Sequence, residues 1–287
     1  SGQKNSNNAG DNWTFVDRLR GLTATSNTDG ANTKLLLSTS TATETTQSFP
    51  DFYNLWNTGA KQGYGLNGAS VAYQFFRRAR GFFDVVAYTG DGASSRAINH
   101  NLGAEPELLI IKCRNATLNW LVFYDFRGTV CSRFLLQSAA ASNTSINYTS
   151  SQMKADPTDS VFTVGDNSNV NTAANTYISY LFGSVAGVSK VGSYTGTGSN
   201  VDVDCGFSAG ARFILIKRED LSGDWYLWDS ARGIVAGNDP YLLLNSIAAE
   251  VTSTDYIDPL SSGFTVTSSA PAGLNASGGT YIFLAIA

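Results

Sequence analysis

The sequence predicts an all-β fold, built as tandem β-sandwich domains of jelly-roll or lectin-like type. Three observations predict it. A Trp followed seven residues later by Arg-Gly occurs three times, at Trp13, Trp120 and Trp225. A second mark, an aliphatic residue and Asn with a Tyr six residues after the Asn, ends at Tyr73, Tyr177 and Tyr281, spaced by 104 residues both times. Self-similarity at that length means repeated domains rather than a short-period solenoid. The composition agrees, because runs of Thr, Val, Ile, Tyr and Phe alternate with Gly-rich turns and only 15% of residues are charged, the usage of many short strands.

The elements follow in order. The marks divide the chain into a partial first repeat over 1–80, a second over 81–186 and a third over 187–287. In the third repeat, strands are expected at Lys190 to Tyr194, Val201 to Cys205, Arg212 to Arg218, Trp225 to Asp229, Tyr241 to Asn245, Gly263 to Thr267 and Thr280 to Ile286. About seven strands in ~100 residues make a two-sheet sandwich. Phe213 to Ile216 is continuously apolar, which predicts a central strand covered on both faces. Trp225, Leu227 and Asp229 alternate with Tyr226 and Trp228, so one set should face the core and the other a wet or partner face. Helical periodicity is nearly absent, with one turn at most expected over Ile247 to Glu250.

The first repeat lacks the segment that opens the others (Phe83 to Gly92; Lys190 to Gly198). A unit missing two strands would leave open sheet edges. The expectation is a fragment whose first repeat is completed by upstream sequence or by another chain in a homo-oligomer. The spacer after Arg-Gly changes length between repeats, which marks a surface loop.

Several function classes find little support. Net charge is −4, which speaks against nucleic acid as a main partner. The one dense basic run, Arg77 to Arg80, reads as a solvated linker or domain contact. No apolar stretch reaches the ~18 residues of a membrane span. Cys113, Cys131 and Cys205 are odd in number and fall at non-equivalent places, so no repeated disulfide is expected. His100 is the sole histidine and reads as a strand-end or turn residue, leaving no nucleophilic triad. A glycosidase would need two carboxylates flanking one bond. Glu105, Glu107, Asp156, Asp159, Glu219, Asp220 and Asp224 lie in turns, and the sequence pairs none of them. Asp166 to Asn169 and Asp202 to Asp204 carry oxygen ligands suited to calcium without forming a ligand loop. No catalytic, cofactor or metal residues are therefore assigned.

The Trp to Arg-Gly mark has two readings. One is a sugar site, with the indole stacking on a pyranose. The other is scaffold, with a core Trp and an Arg tied to a carboxylate. Asp17 and Asp229 lie three residues before the Arg, whereas the second repeat has Tyr124 there and Asp125 one later. Presence in every repeat favours scaffold for Trp120, Arg127, Gly128, Tyr177 and their equivalents. Gly21, Gly128 and Gly233 should hold a backbone conformation that other residues resist. Ligand binding would then use segments that differ between repeats, such as Ser142 to Ala155 and Ile247 to Pro259.

The segments Trp13 to Gly21, Tyr73 to Ala79, Phe82 to Gly90 and Gly273 to Gly278 resemble a domain repeated in large tailed-phage virion proteins of marine and freshwater bacteria. The resemblance covers nearly the whole chain, and Arg80 is a departure from it. It implies a structural and adhesive virion-surface module (tail fibre, tail appendage or capsid-surface protein), with other virion proteins, copies of itself in a possible trimer and host-surface glycan as partners. It carries no catalytic residues. The rival from another class is an enzyme degrading surface polysaccharide, marked by a carboxylate pair in a groove.

Overall fold

The computed structural model describes residues 2–5, 11–20, 32–48 and 71–287. The first strand group is β1 (Gly2–Asn5), β2 (Thr14–Phe15), β3 (Asn32–Leu37), β4 (Thr45–Ser48) and β5 (Val71–Gln74), with a 3-10 turn at Arg18–Arg20. The second is β6 (Phe83–Thr89), β7 (Arg96–Asn99), β8 (Leu108–Cys113), β9 (Trp120–Tyr124), β10 (Val130–Leu135), β11 (Asn143–Asn147), β12 (Val161–Val164), α1 (Ser168–Asn171) and β13 (Thr176–Phe182). The third is β14 (Ser189–Thr195), β15 (Val201–Asp204), β16 (Phe213–Arg218), β17 (Trp225–Asp229), β18 (Leu242–Leu243), β19 (Ile257–Leu260), β20 (Gly263–Val266), α2 (Ala272–Asn275) and β21 (Thr280–Ile286). The protein is all-β, as its sequence predicts, with antiparallel pairing throughout its sheets.

Three large sheets run β4-β3-β2-β1-β5, β11-β10-β9-β8-β13-β6 and β14-β21-β16-β17-β18. In the second and third groups a small sheet, β12-β7 or β15-β20-β19, covers the outer face. Alternation along the strands decides what each face buries. Leu109, Ile111, Leu121 and Phe123 pack under the small sheet with Phe162 and Val164. Ile214, Ile216 and Trp228 do the same with Phe264 and Val266. The opposite faces, Leu108, Ile110, Trp120 and Val122 in one sheet and Phe213, Leu215, Trp225 and Leu227 in the next, meet Trp13 and Leu36 in one shared core.

That shared core corrects one expectation. Neither face of β17 is wet, because Trp225 and Leu227 face the common core while Trp228 faces the sandwich interior. The first group's core residues Trp13 and Leu36 pack against the other two groups of the same chain. The helical turn expected at Ile247 to Glu250 is also absent, and two short helices lie instead at the aliphatic-Asn mark. β19 was not anticipated. It contains Pro259 and is tolerated because it lies at the edge of its sheet.

The three tryptophans close the assembly in a ring. The indole N–H of Trp120 donates to Leu37 O at 2.9 Å, that of Trp225 to Leu135 O at 3.3 Å and that of Trp13 to Leu243 O at 3.2 Å. Each group thus bonds to its neighbour through the same atom type at a corresponding place. The fully buried Lys112 donates to Thr41 O across the same boundary, and the fully buried Lys217 donates to Ala139 O and Ala140 O. A buried ammonium must find several acceptors, and each lysine finds a further one in its own group, Leu118 O or Gly223 O. Burial pushes both amines down to about 8.

The Asn and Tyr mark is also structural. Tyr177 donates to Ser168 O and accepts from Thr172 N, and Tyr281 does the same with Ala272 O and Ala276 N. Asn171 and Asn275 bond the loops after β6 and β14, respectively. Those loops approach so closely that a Cβ on Gly90 or Gly196 would collide with a carbonyl, Thr172 O or Ala276 O.

Candidate functional site

The strongest departure from threefold regularity lies where the second group meets the third. In the first group Arg20 is fully buried. It bonds to Asp17 through both its backbone N–H and its Nε, to Glu44 at 3.4 Å, to Phe15 O at 2.8 Å and to Tyr180 Oη at 3.2 Å. Glu44 in turn holds Arg114 of the second group at 2.9 Å. In the third group Arg232 repeats the clamp. It bonds to Asp229 at 2.9 Å, to Glu250 at 3.2 Å and to Leu227 O at 3.2 Å, while Gln74 donates to Asp229 at 2.8 Å from the first group. Both arginines are scaffold.

The second group has lost the clamp. Tyr124 stands where Asp17 and Asp229 do, and Ser142 where Glu44 and Glu250 do. Arg127 turns outward to Asp125 at 3.1 Å, its side chain 47% exposed, and touches Ser132 Oγ at 3.4 Å. Asp125 adopts φ 53°, a conformation uncommon outside glycine. Tyr124 stacks flat on Phe134 and donates to Glu219 of the third group at 2.6 Å. Burial, reinforced by Glu219, holds the Tyr124 phenol well above its usual range, so it remains a donor.

Without the buried guanidinium a cleft of about 370 Å³ opens between the two groups. Tyr124, Asp125 and Phe126 form one wall, Val191 to Ser193 and Ile282 the other, with Glu105 to Glu107, Asp156, Pro157 and Glu219 around them. Among the described residues no Lys or Arg lines it. Asp156 accepts from Gly128 N at 2.6 Å and from the Tyr148 hydroxyl. Glu107 accepts from Ser184 N, and Glu105 is exposed.

Four of the turn carboxylates singled out in the sequence, Glu105, Glu107, Asp156 and Glu219, therefore converge. Asp220 and Asp224 are tied elsewhere, to Arg218 at 2.9 Å and to Asn245 at 2.9 Å, and the Arg218 contact lowers Asp220 to about 2. His100 is buried just after β7, its backbone N–H donating to Ser160 O and its Nδ1 accepting from Leu102 N. Asn167 caps α1, Asp202 accepts from Thr265, and Asp204 accepts from Gly206 N. Among the described residues no cluster of three metal-ligating side chains occurs. Gly128 and Gly233 hold positive φ, 77° and 122°, while Gly21 lies outside the described residues.

Ser142 to Ala155, expected to serve any binding, is part strand, with Asn147 and Thr149 exposed. It contains β11, and Met153 is fully buried. Within Ile247 to Pro259, Val251 bridges to Tyr241 and β19 begins at Ile257. The cleft residues Tyr124 to Phe126 and Val191 to Ser193 were not singled out as a site. The signal was present all the same, as Tyr124 breaking the Asp-to-Arg spacing and Ser142 replacing a Glu.

A family model described as a domain of unknown function (DUF7483) matches residues 53–287, and the chain belongs to that family. No curated protein and no solved structure matches the chain.

Proposed function

We propose that the chain is a structural and adhesive module of a bacteriophage virion surface, made of three copies of one β unit, the first incomplete, with the open cleft as its glycan subsite. The virion assignment rests on the sequence resemblance. The observation that carries the adhesive reading is the loss of the Arg clamp at one of three otherwise corresponding boundaries. Two boundaries spend this position on scaffold. The third leaves a cleft with an aromatic wall and carboxylate acceptors, the mixture that holds a pyranose by its apolar face and its hydroxyls.

The described lining holds no Lys or Arg, which favours neutral or amino sugars over acidic ones, because an anionic sugar would face Asp156 and Glu219. The rival reading, hydrolysis of the polysaccharide, draws on the same carboxylates. Glu107, Asp156 and Glu219 each already accept a bond from a group of their own chain, which suits positioning better than a mobile acid and base.

Ser193 is exposed at the cleft wall, so Ser193→Trp should fill it without disturbing the core. Titration with neutral and amino-sugar oligosaccharides should show binding to the wild type and its loss in the variant at unchanged Tm. Equal binding by both would overturn the cleft assignment. Release of reducing ends, abolished by Asp156→Asn, would favour the enzyme.

A further inference from the structure

His100 is the only histidine of the chain and lies buried beside the joint between the first and second groups. It follows β7, and Phe162 of the paired strand β12 stacks on its ring at 6.4 Å. The joint is the stretch 75–82, which carries the chain from β5 into β6. Gly81 N donates to Leu102 O at 2.7 Å, and Asn101 N donates to Asp84 Oδ2 at 2.7 Å. Arg78 reaches from the joint to the same Asp84. A Cβ on Gly103, which holds φ 67°, would strike the Arg80 side chain. The joint therefore rests on the turn 100–103.

That turn is closed by a bond that only a neutral imidazole can make. Leu102 N donates to His100 Nδ1 at 3.2 Å. An imidazolium carries a proton on both nitrogens and accepts no bond. Protonation sets two donors against each other in a buried turn, and a buried N–H left without an acceptor is costly. Nε2 has no partner among the described residues, so no bond there offsets the loss.

The surroundings pull both ways. Burial lowers the imidazole from its ordinary value of 6.5, against the carbonyls of Thr158 and Val161 and the carboxylates of Asp84 and Asp159, which favour the charged ring. Arg78 already engages Asp84, and Arg80 adds a cation across Gly103.

We propose that the turn 100–103 is an acid-opened latch: protonation of His100 breaks its bond to Leu102, parts Leu102 O from Gly81 N and loosens the joint between the first and second groups. Leu102 is fully buried in the core beneath the small sheet, and His100 N donates to Ser160 O at 2.8 Å. The same opening therefore frees the end of β7. Because the folded value is lowered, the neutral ring's contribution is full above about pH 6.5 and is lost as pH falls through the folded value. The latch is independent of the glycan reading of the cleft.

The sole histidine makes the test direct. His100→Asn keeps an acceptor for the N–H two residues on, as Asn does in Asx-turns, and does not titrate near neutrality. Amide exchange, corrected for its intrinsic pH dependence, is followed from about pH 7.5 to about pH 5, the window of a histidine. Protection at Leu102 and Gly81 should be lost in the wild type and kept in the variant. The Tm of the wild type should fall relative to the variant over the same window, a difference in which Asp239, common to both, cancels. The single imidazole resonance of the wild type should titrate below 6.5, with the midpoint at which protection is lost. Unchanged protection at both amides, or equal profiles in wild type and variant, would overturn the proposal. Should the variant fail to fold, the wild type decides alone: an imidazole that titrates without loss of protection at Leu102 and Gly81 overturns it.

Discussion

Replacing Arg232 and Arg127 by Ala in separate variants should give unequal results, although sequence alone treats the two residues as equivalent. The Arg232 side chain is 12% exposed, Asp229 10% and Glu250 13%. Its removal leaves two enclosed carboxylates facing each other and frees Leu227 O, which had accepted its third bond. Breaking a buried pair by deleting one partner costs roughly 3–5 kcal/mol. The Arg127 side chain is 47% exposed and its partner Asp125 44%, and an exposed pair contributes about 0–1 kcal/mol. For a chain of this size 1 kcal/mol moves Tm by about 2–4 °C. Arg232→Ala should therefore lower Tm by roughly 6–20 °C and Arg127→Ala by no more than about 4 °C. Calorimetry with a matching urea midpoint reads both. Equal losses, or a larger loss at Arg127, would refute the claim that the clamp is absent from the second group.

Two further outcomes follow from buried ionisable groups. Lys217→Met should destabilise the fold by several kcal/mol, because Ala139 O, Ala140 O and Gly223 O lose a shared donor and an unsatisfied buried acceptor costs about 1–3 kcal/mol; a neutral result in urea unfolding would show that water replaces the ammonium. Burial pushes Asp239 up to about 7 against roughly 3.9 unfolded, so its contribution is full below about pH 4 and is lost as pH rises through 7. Wild-type stability should fall across that window relative to Asp239→Asn, and parallel profiles would refute it.

The class of fold was legible because strand periodicity and turn residues are local. Trp225 to Asp229 and Thr280 to Ile286 were placed to the residue. The common core was not legible. Phe213 to Ile216 read as a strand covered on both faces, and nothing local distinguishes burial against a facing sheet from burial against two neighbouring groups. β19 was hidden by Pro259, which argues against a strand unless the edge position is known. Lys112 and Lys217 were visible only as repeated letters, since a lysine satisfied by carbonyls of another segment has no signature in its own. The cleft was half legible. Tyr124 in place of Asp was seen, but its meaning depends on what Arg20 and Arg232 do when folded.

Closure into a ring explains why one boundary can be spared. Each boundary carries a Trp-to-carbonyl bond, and the boundaries of the second group with the first and with the third also carry a lysine cap. The Arg clamps add to this at only two places. Two buried clamps, at roughly 3–5 kcal/mol each when broken, are of the same order as the whole net stability of a domain, about 5–15 kcal/mol. A third would add rigidity that the ring does not need, since fixing two boundaries of a closed triangle restrains the last. At that last boundary Tyr124 to Glu219 stands in the clamp's place, beside the Trp225 and Lys217 bonds. The carboxylates around it, each engaged by donors of the chain itself, keep further acceptor sites for a ligand, which is why the irregular boundary, rather than any position shared by all three groups, is where binding is expected.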